Sequence, residues 1–421
     1  MSKKSYDLIV IGAGPAGAAA AITAARGGAS VIVFDKASYG RDKVCGDGLT
    51  PRAVGALNEL KIDLDDAHRI DGLRMIAGRK TRELAWPKTA RFPSHGAVWP
   101  RRRLDAAMMD AAAEAGAEVV WDAEALPEFG PGSGPGGGQS DRVTGVRIAG
   151  GAAAGEHFDA DMVVVATGAP GQVARMLGAE RDKDEPFGIA IRTYAETPRH
   201  DDRHLEACLT LRDEHGVAVP GYGWMFPAGD GTVNIGVGAL STMKNFKKLN
   251  LNNLLASYRS LVEPTWQIGP NLERPRAWRL PMSTQKRHGP GWVAIGDAAG
   301  LVNPMNGEGI DYGLESGILA SELFLQNPTA APPRYDNQIG LRFDSFLRTG
   351  RRFSFLIGHP LILRNGLRLA VGTDAIANIT LGVMGNLVDS DTPGAAGRVL
   401  TIADRALAMA DPILRRTRAA S

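Results

Sequence analysis

The chain has 421 residues, enough for two or three domains with a large core. Its composition, 44% apolar and 22% charged, excludes wholesale disorder. The 48 basic and 46 acidic side chains leave a net charge of +2, too balanced for a nucleic-acid surface, and two cysteines, Cys45 and Cys208, cannot build a zinc ribbon or a disulfide framework, so no metal is expected.

The N-terminus runs from Met1 through Lys4 straight into a strand-like segment, with no signal peptide, which predicts an intracellular protein. Residues 6–12 read as a fully buried parallel strand. An alanine-rich helix follows from Pro15 and stops at Gly27-Gly28. Ser30 to Asp35 is a second buried strand, completing a βαβ unit. The turn between strand and helix reads Gly12-Ala13-Gly14-Pro15-Ala16-Gly17. Its glycines allow a tight turn, close approach to a pyrophosphate and helix–strand packing, and the helix N-terminus faces the anion. Asp35, 23 positions beyond Gly12 and followed by Lys36, stands where a carboxylate binds ribose hydroxyls.

Thr50-Pro51 opens another helix, and Arg101-Arg102-Arg103 opens the next, which runs to Gly116. Arg101 is placed to reach back to a nucleotide. Residues 117–161 read as strands around a Gly-rich loop, Gly130 to Gly138, taken as an exposed turn because no buried strand precedes it. Asp161 to Ala166 is a buried strand ending in Thr167-Gly168. Residues 187–240 alternate apolar and polar in four runs, an antiparallel sheet. Gly291 to Gly296 returns to the buried-strand pattern and ends in Gly296-Asp297, where the carboxylate can hold a ribityl hydroxyl. A helix starting at Gly307 or Gly309 would aim bare N–H groups, including that of Ile310, at whatever lies in front. Residues 333–421 are mostly helical by pattern. The weakly charged stretch 369–388 carries Asp374, Asn378, Asn386 and several glycines, so it is a poor membrane span.

Taken together, the dinucleotide turn, Arg101, the Gly168 turn and the Gly296-Asp297 turn resemble FAD enzymes of the hydroxylase-type fold over residues 6–320. No second GxGxxG follows a strand, which argues against a separate nicotinamide domain. Residues 43–54, Lys-Val-Cys-Gly-Asp-Gly-Leu-Thr-Pro-Arg-Ala-Val, and 220–227, Pro-Gly-Tyr-Gly-Trp-Met-Phe-Pro, resemble the cysteine loop and the P-x-x-Y-x-W-x-F-P motif of the geranylgeranyl reductase family. Its members are FAD enzymes that hydrogenate isoprenoid double bonds. The runs 221–242 and 303–315 look most like its actinobacterial menaquinone-reducing members, which saturate one isoprene unit of the quinone side chain.

The resemblance implies an α/β protein. An FAD-binding Rossmann-like domain would span 1–180 with 275–330, an inserted antiparallel-sheet substrate domain 181–274, and a helical part 331–421. It implies FAD contacts from Gly12, Gly14, Pro15, Ala16, Gly17, Asp35, Lys36, Cys45, Gly46, Arg101, Gly168, Gly296, Asp297, Gly307, Gly309 and Ile310. The substrate is expected to be menaquinone, with geranylgeranyl diphosphate or a geranylgeranylated lipid as the alternative. The reductant stays open, NAD(P)H or another donor. Thr167 departs from the family's more frequent Asp, which weakens the transfer of that turn.

In a strand Tyr222, Trp224 and Phe226 share one face, a flat apolar wall suited to a polyprenyl chain. Gly236 and Gly238 share a face of the following strand and would leave free volume. Cys45 corresponds to the family's cavity cysteine, whereas Cys208, in an alternating strand, reads as a small buried hydrophobe. Reduction of an isolated alkene needs a proton in a dry cavity. Tyr222, Cys45, Asp47 or a water on Asn306 could give it, and the Trp224 and Tyr222 rings could stabilise a tertiary cation. Arg41 and Lys43 flank the cysteine loop, so a diphosphate substrate stays open. A flavin monooxygenase and a non-catalytic isoprenoid carrier are the rivals from other classes.

Residues 334–370 hold seven arginines and two aspartates, a net charge of +5, interleaved with Phe343, Phe346, Leu347, Phe353, Phe355, Leu356 and Ile357. Basic, Phe/Leu-rich helices lie on anionic membranes. The expectation is a cytoplasmic protein, peripheral on the inner face of the cell membrane.

Overall fold

The computed structural model describes residues 4–130, 142–151, 153–169, 171–359 and 369–388, with the single positions 362, 363, 366, 402, 404, 407 and 409. Strand β1 (Lys4–Ile11) buries its last four residues, as a strand covered on both faces must. Helix α1 (Pro15–Arg26) follows with Pro15 at its first position; seven of its twelve residues are alanine. Strand β2 (Val31–Phe34) lies parallel to β1. The Thr50 hydroxyl caps α2 (Pro51–Glu59) by accepting from the Ala53 N–H at 3.3 Å. Then come β3 (Gly72–Ala77), β4 (Lys80–Ala85), α3 (Arg101–Glu114), β5 (Glu118–Val120) and β6 (His157–Val165). The second half contains β7 (Phe187–Glu196), β8 (His204–Cys208), β9 (Gly221–Pro227), β10 (Thr232–Leu240), α4 (Leu251–Trp266), β11 (Arg276–Pro281) and β12 (Trp292–Ala294). Helices α5 (Ile310–Gln326), α6 (Ala331–Ile339), α7 (Ser345–Ile357) and α8 (Asp374–Met384) close the chain.

The first sheet runs β12–β6–β1–β2–β5, all parallel. Helices α1 and α5 cross tightly on it: a Cβ on Gly317 would lie 2.4 Å from the Ala16 carbonyl oxygen. Strands Ala123–Phe129 and Val143–Gly151 pair with each other, and the second of them with β6. The glycine loop expected between them falls, beyond Gly130, outside the described residues.

The second sheet runs β11–β7–β10–β9–β8–β3–β4. It is wider than the 181–274 reading, because β3 and β4 join it through a parallel pairing of β3 with β8, and β11 joins its other edge. A partner so far away in sequence leaves no local pattern. Helix α4 covers one face: Leu254, Leu255, Tyr258 and Val262 pack on Ile191, Met225, Ile235 and Val237. Gly223 lies under Tyr258, whose ring would be 2.6 Å from a Cβ there. By alternation Tyr222, Trp224 and Phe226 face the other way. Cys208 is buried beneath α4, as expected.

From α6 a short π-helical stretch, Gly340–Asp344, leads directly into α7. Part of the apolar side expected on a membrane is buried in the protein instead. Phe343, Phe346 and Leu347 belong to the main core. Arg351 donates to the Met282 carbonyl (3.2 Å) and meets Glu185 at 3.4 Å, and Arg352 meets Asp404 at 3.0 Å. Arg364 and Arg368 lie outside the described residues. The Phe343, Phe346 and Leu347 side of this run thus packs into the main core, while Phe353 stays 37% exposed. No helix among the described residues is long and apolar enough to cross a membrane.

Candidate active site

A cavity of about 670 Å³ opens at the C-terminal ends of β1, β2 and β6 and beside the turn that follows β12. This is the edge of a doubly wound sheet where ligands bind. Gly12, Gly14, Pro15, Ala16, Asp35, Lys36, Arg101, Gly168, Gly296, Asp297, Gly309 and Ile310 all line it. Gly17 does not, but serves packing: a Cβ there would be 1.9 Å from the Gly12 carbonyl oxygen. Thr167 also lines the cavity, and its buried hydroxyl has no partner among the described residues. The departure from Asp therefore still presents a polar group.

The chemistry of the wall fits a dinucleotide. Above Gly14 the nearest groups are the guanidinium ends of Arg41 and Arg101, 3.7 and 3.8 Å from where a Cβ would stand. Arg101 is held by Asp105 through two bonds of 2.6 and 2.8 Å, and Arg41 approaches Asp105 and Asp35 at 3.3 and 3.5 Å. Asp35 accepts from the Ala13 and Ala37 N–H groups (2.8 and 2.9 Å). Lys43 stacks on Trp278 with its Nζ 3.9 Å from the ring centre, and burial pushes its ammonium down to about 8. Both basic groups flanking the cysteine loop thus face this cavity.

The second cavity, about 360 Å³, lies between β9, β10, α7 and α8. Its lining includes Tyr222, Gly238, Leu240, Leu280, Met282, Met305, Phe353, Ile357, Leu369, Ile376 and Met384. No charged side chain lines it among the described residues. Tyr222, Trp224 and Phe226 do form a row, with ring centres 5.9 and 6.2 Å apart. Only Tyr222 borders this cavity. Trp224 lies over Gly236, where a Cβ would be 2.1 Å from its ring, so Gly236 leaves no free volume, in contrast to the expectation; Gly238 does border the cavity.

Trp224 and Phe226 instead carry the cysteine loop. A Cβ on Gly46 or Gly48 would be 3.1 or 3.0 Å from the Phe226 ring, so the glycines permit the loop to lie flat. Cys45 and Gly46 sit here rather than on the nucleotide-cavity wall. Asp47 is wholly buried with φ of 65°. It accepts from the Arg101 N–H (3.2 Å), from Asn234 Nδ2 (2.7 Å) and from the Tyr194 hydroxyl. Burial pushes its carboxyl up, against these donors and Arg192. Asn234 also donates to the Cys45 carbonyl (2.8 Å) and accepts from Trp224 Nε1 (2.9 Å). Asn234 and Tyr194 were not expected in the site. The signal for Asn234 was a lone amide between Val233 and Ile235 in an apolar strand.

The two cavities meet at the turn 303–310. Asn306 and Gly307 line the apolar one, and Gly309 and Ile310 the nucleotide one. Helix α5 starts at Ile310 with Gly309 as cap, so Gly307, at φ of 78°, belongs to the apolar side and not to the cofactor wall. The turn is pinned by a buried network. Asn303 and Asn306 donate to Asn386 Oδ1, Asn386 donates to Asp311 (2.7 Å), and Arg52 reaches the Asn386 carbonyl (3.2 Å) and Glu315 (3.0 Å). Tyr222 donates its hydroxyl to the Asn306 carbonyl at 2.6 Å. Between the glycines stands Glu308, which sequence reasoning passed over. Its Oε1 accepts from the Ile310 N–H at 3.2 Å.

A family profile described as FAD binding domain matches residues 5–324. A menaquinone reductase of Mycobacterium tuberculosis (strain ATCC 25618 / H37Rv) is 38% identical over 94% of this chain and 94% of its own length. The chain belongs to the geranylgeranyl reductase family of FAD oxidoreductases. More distant within it, a digeranylgeranylglycerophospholipid reductase of Methanothermobacter thermautotrophicus is 29% identical over 75% of this chain and 76% of its own. The crystal structure of a geranylgeranyl bacteriochlorophyll reductase-like protein from Thermoplasma acidophilum shares the fold, with a TM-score of 0.78 at 22% identity, covering 96% of this chain and all of the other. This reductase is therefore an FAD enzyme.

Proposed function

We propose that this reductase saturates one isolated double bond in the side chain of a menaquinone. One observation carries the reading: a cavity without a charged side chain among the described residues adjoins the nucleotide cavity across a single turn. A free diphosphate would need cations at the cavity, yet Arg41 and Lys43 face the nucleotide side. An uncharged isoprenoid tail fits instead, and the 38% identity to a menaquinone reductase supports that choice.

Reduced FAD, when bound, supplies the hydride. In this reading Gly14, Arg41 and Arg101 hold its pyrophosphate, and Asp35 and Asp297 its hydroxyl groups. The α5 N-terminus would stabilise negative charge on the ring. Tyr222 and Gly238 shape the tail site, while Trp224, Phe226 and Asn234 hold the cysteine loop through ring contacts and the Asn234–Asp47 bond. Water is kept out by the apolar lining.

A lipid-resident tail also suggests where the protein meets a membrane. Phe353, Leu369 and Ile376 line the cavity and are nevertheless 37%, 63% and 37% exposed, so they form its mouth. We place the membrane contact at this rim. The test is mass spectrometry of the quinone pool with and without the gene, followed by turnover of purified protein. Loss of the partly saturated menaquinone, and its formation by the protein, is the expected result. Activity on geranylgeranyl diphosphate alone would overturn it.

A further inference from the structure

Inside a strand a glycine costs stability, because it has no side chain to pack and loses the most backbone freedom on folding. It is kept where the backbone turns left-handed or where a neighbour fills its place. Most glycines in the sheet and turn that line the apolar cavity have such a reason. A Cβ on Gly188 would be 2.9 Å from Met282 Cε, and one on Gly221 would be 1.9 Å from the Gly238 carbonyl oxygen. Gly307 has a φ of 78°.

Gly238 has neither reason. Its φ is negative. A Cβ there would meet the Ile189 carbonyl oxygen at 3.8 Å and the Trp224 ring at 3.9 Å, which is ordinary van der Waals contact. Along β10 the same face carries Asn234, Gly236, Gly238 and Leu240. Asn234 is bonded to the cysteine loop, Gly236 lies beneath Trp224, and Leu240 packs with Met282 and Val302. At Gly238 the space of a side chain is left to the cavity. Its cross-strand partner is Tyr222, so this space lies beside the Tyr222 ring. The Tyr222 hydroxyl in turn reaches the Asn306 carbonyl, in the turn where the apolar and nucleotide cavities meet.

We propose that Gly238 is a specificity-determining residue: the place of its missing side chain seats a methyl branch of the isoprene unit that lies against Tyr222. The inference rests on the polyprenyl reading above. An isoprenoid chain differs from a straight one by its methyl branches, and a methyl-sized niche is where a site can tell them apart. A larger residue at 238 refuses the branch and still leaves room for a straight chain. A methyl-sized change in an apolar pocket alters discrimination by about 10–200-fold.

The test compares Gly238→Ala and Gly238→Val with wild type as FAD-loaded proteins. The substrate is whichever polyprenyl compound reoxidises the dithionite-reduced wild type, so a wrong quinone assignment leaves the niche measurable. Two saturated competitors carry the same headgroup, one with a methyl-branched tail and one with a straight tail of equal chain length. In Gly238→Ala, reoxidation by the polyprenyl compound should fall about 10-fold or more, and in Gly238→Val further. Inhibition by the branched competitor should weaken in step, while the straight competitor inhibits Gly238→Ala as it does wild type. Flavin content and reoxidation by oxygen should match wild type. The melting temperature should be equal or higher, since alanine and valine both cost a strand less than glycine. Polyprenyl turnover near wild type in both variants would overturn the inference and leave the reductase reading standing. Equal weakening of both competitors would mean a general narrowing of the cavity and would overturn it as well. If Gly238→Val alone fails to fold, Gly238→Ala carries the test. Loss of FAD or a lower melting temperature in both variants would make Gly238 a packing residue, against the proposal. If no polyprenyl compound reoxidises the wild type, the reading falls and takes the niche with it.

Discussion

A Cβ on Gly14 would stand 3.7 and 3.8 Å from the guanidinium groups of Arg41 and Arg101, yet the residue's own conformation, φ −86° and ψ −180°, is open to any residue. A side chain there adds no strain and only fills the space that the proposed placement gives to the pyrophosphate. Gly14→Val should therefore fold, by circular dichroism, and purify without flavin absorbance. Retention of full flavin would contradict the placement of FAD. Asn234 makes a different kind of contribution. It satisfies Trp224 Nε1, the Cys45 carbonyl and Asp47 in a fully buried position. Asn234→Leu keeps the volume but leaves these groups unpaired, at about 1–3 kcal/mol each, offset where water enters. The melting temperature of the holoprotein should fall by several degrees. A melting temperature equal to wild type would mean that the loop does not depend on this amide.

Among the elements, α2, α5 and the residues after α8 are joined by Asp311, which accepts from Asn386 (2.7 Å) and from Thr50 (3.3 Å). Burial pushes its carboxyl up to about 6. The folded state thus holds a proton that the unfolded chain, with an ordinary carboxyl near ~4, has released. The part of the stability that Asp311 contributes should be complete below the lower value and be lost as pH rises through the upper one. Asp311→Asn should flatten that slope, as read from urea midpoints on both sides of the window. An unchanged slope would place the titration elsewhere. Elements of this kind differ in how far the sequence shows them. The βαβ unit, the Arg101 helix and the Gly296-Asp297 turn rest on local periodicity and glycine placement, and are legible. So is the aromatic row, because a strand has period two. The start of α5 was narrowed to Gly307 or Gly309, and the choice of Gly309 was not legible, because Asn303 and Asn306 hold the preceding turn through Asn386, a residue some eighty positions away. Nor was the filling of Gly236 by Trp224, since only the pairing of β9 with β10 brings them together. The buried side of α7 was read as a membrane face because packing on a domain and packing on lipid leave the same pattern of Phe and Leu.

At the scale of the whole molecule, the proposed substrate would have to pass from a bilayer into the apolar cavity. The mouth of that cavity is ringed by Phe353, Leu369 and Ile376, and Ile362, 38% exposed, stands next to Leu363 of the lining. Arg342 and Arg348 are exposed on the same helical run as Phe353. If the rim enters the bilayer surface, each large apolar side chain contributes up to about 1.5–3 kcal/mol, insensitive to salt, whereas each arginine adds about 1 kcal/mol that salt screens. High salt should then release only part of the protein from anionic liposomes. Ile362→Asp removes one apolar contact and adds a charge repelled by the lipid, so liposome binding should weaken about tenfold or more. Because Ile362 does not line the cavity, turnover of a short, detergent-dispersed quinone should persist while turnover of quinone in vesicles falls. Leu369→Asp, which places a charge in the lining itself, should lower both. Liposome binding unchanged by Ile362→Asp would move the contact away from this rim. Equal loss on both substrates would show that the 362 position supports the fold and not the approach to the membrane.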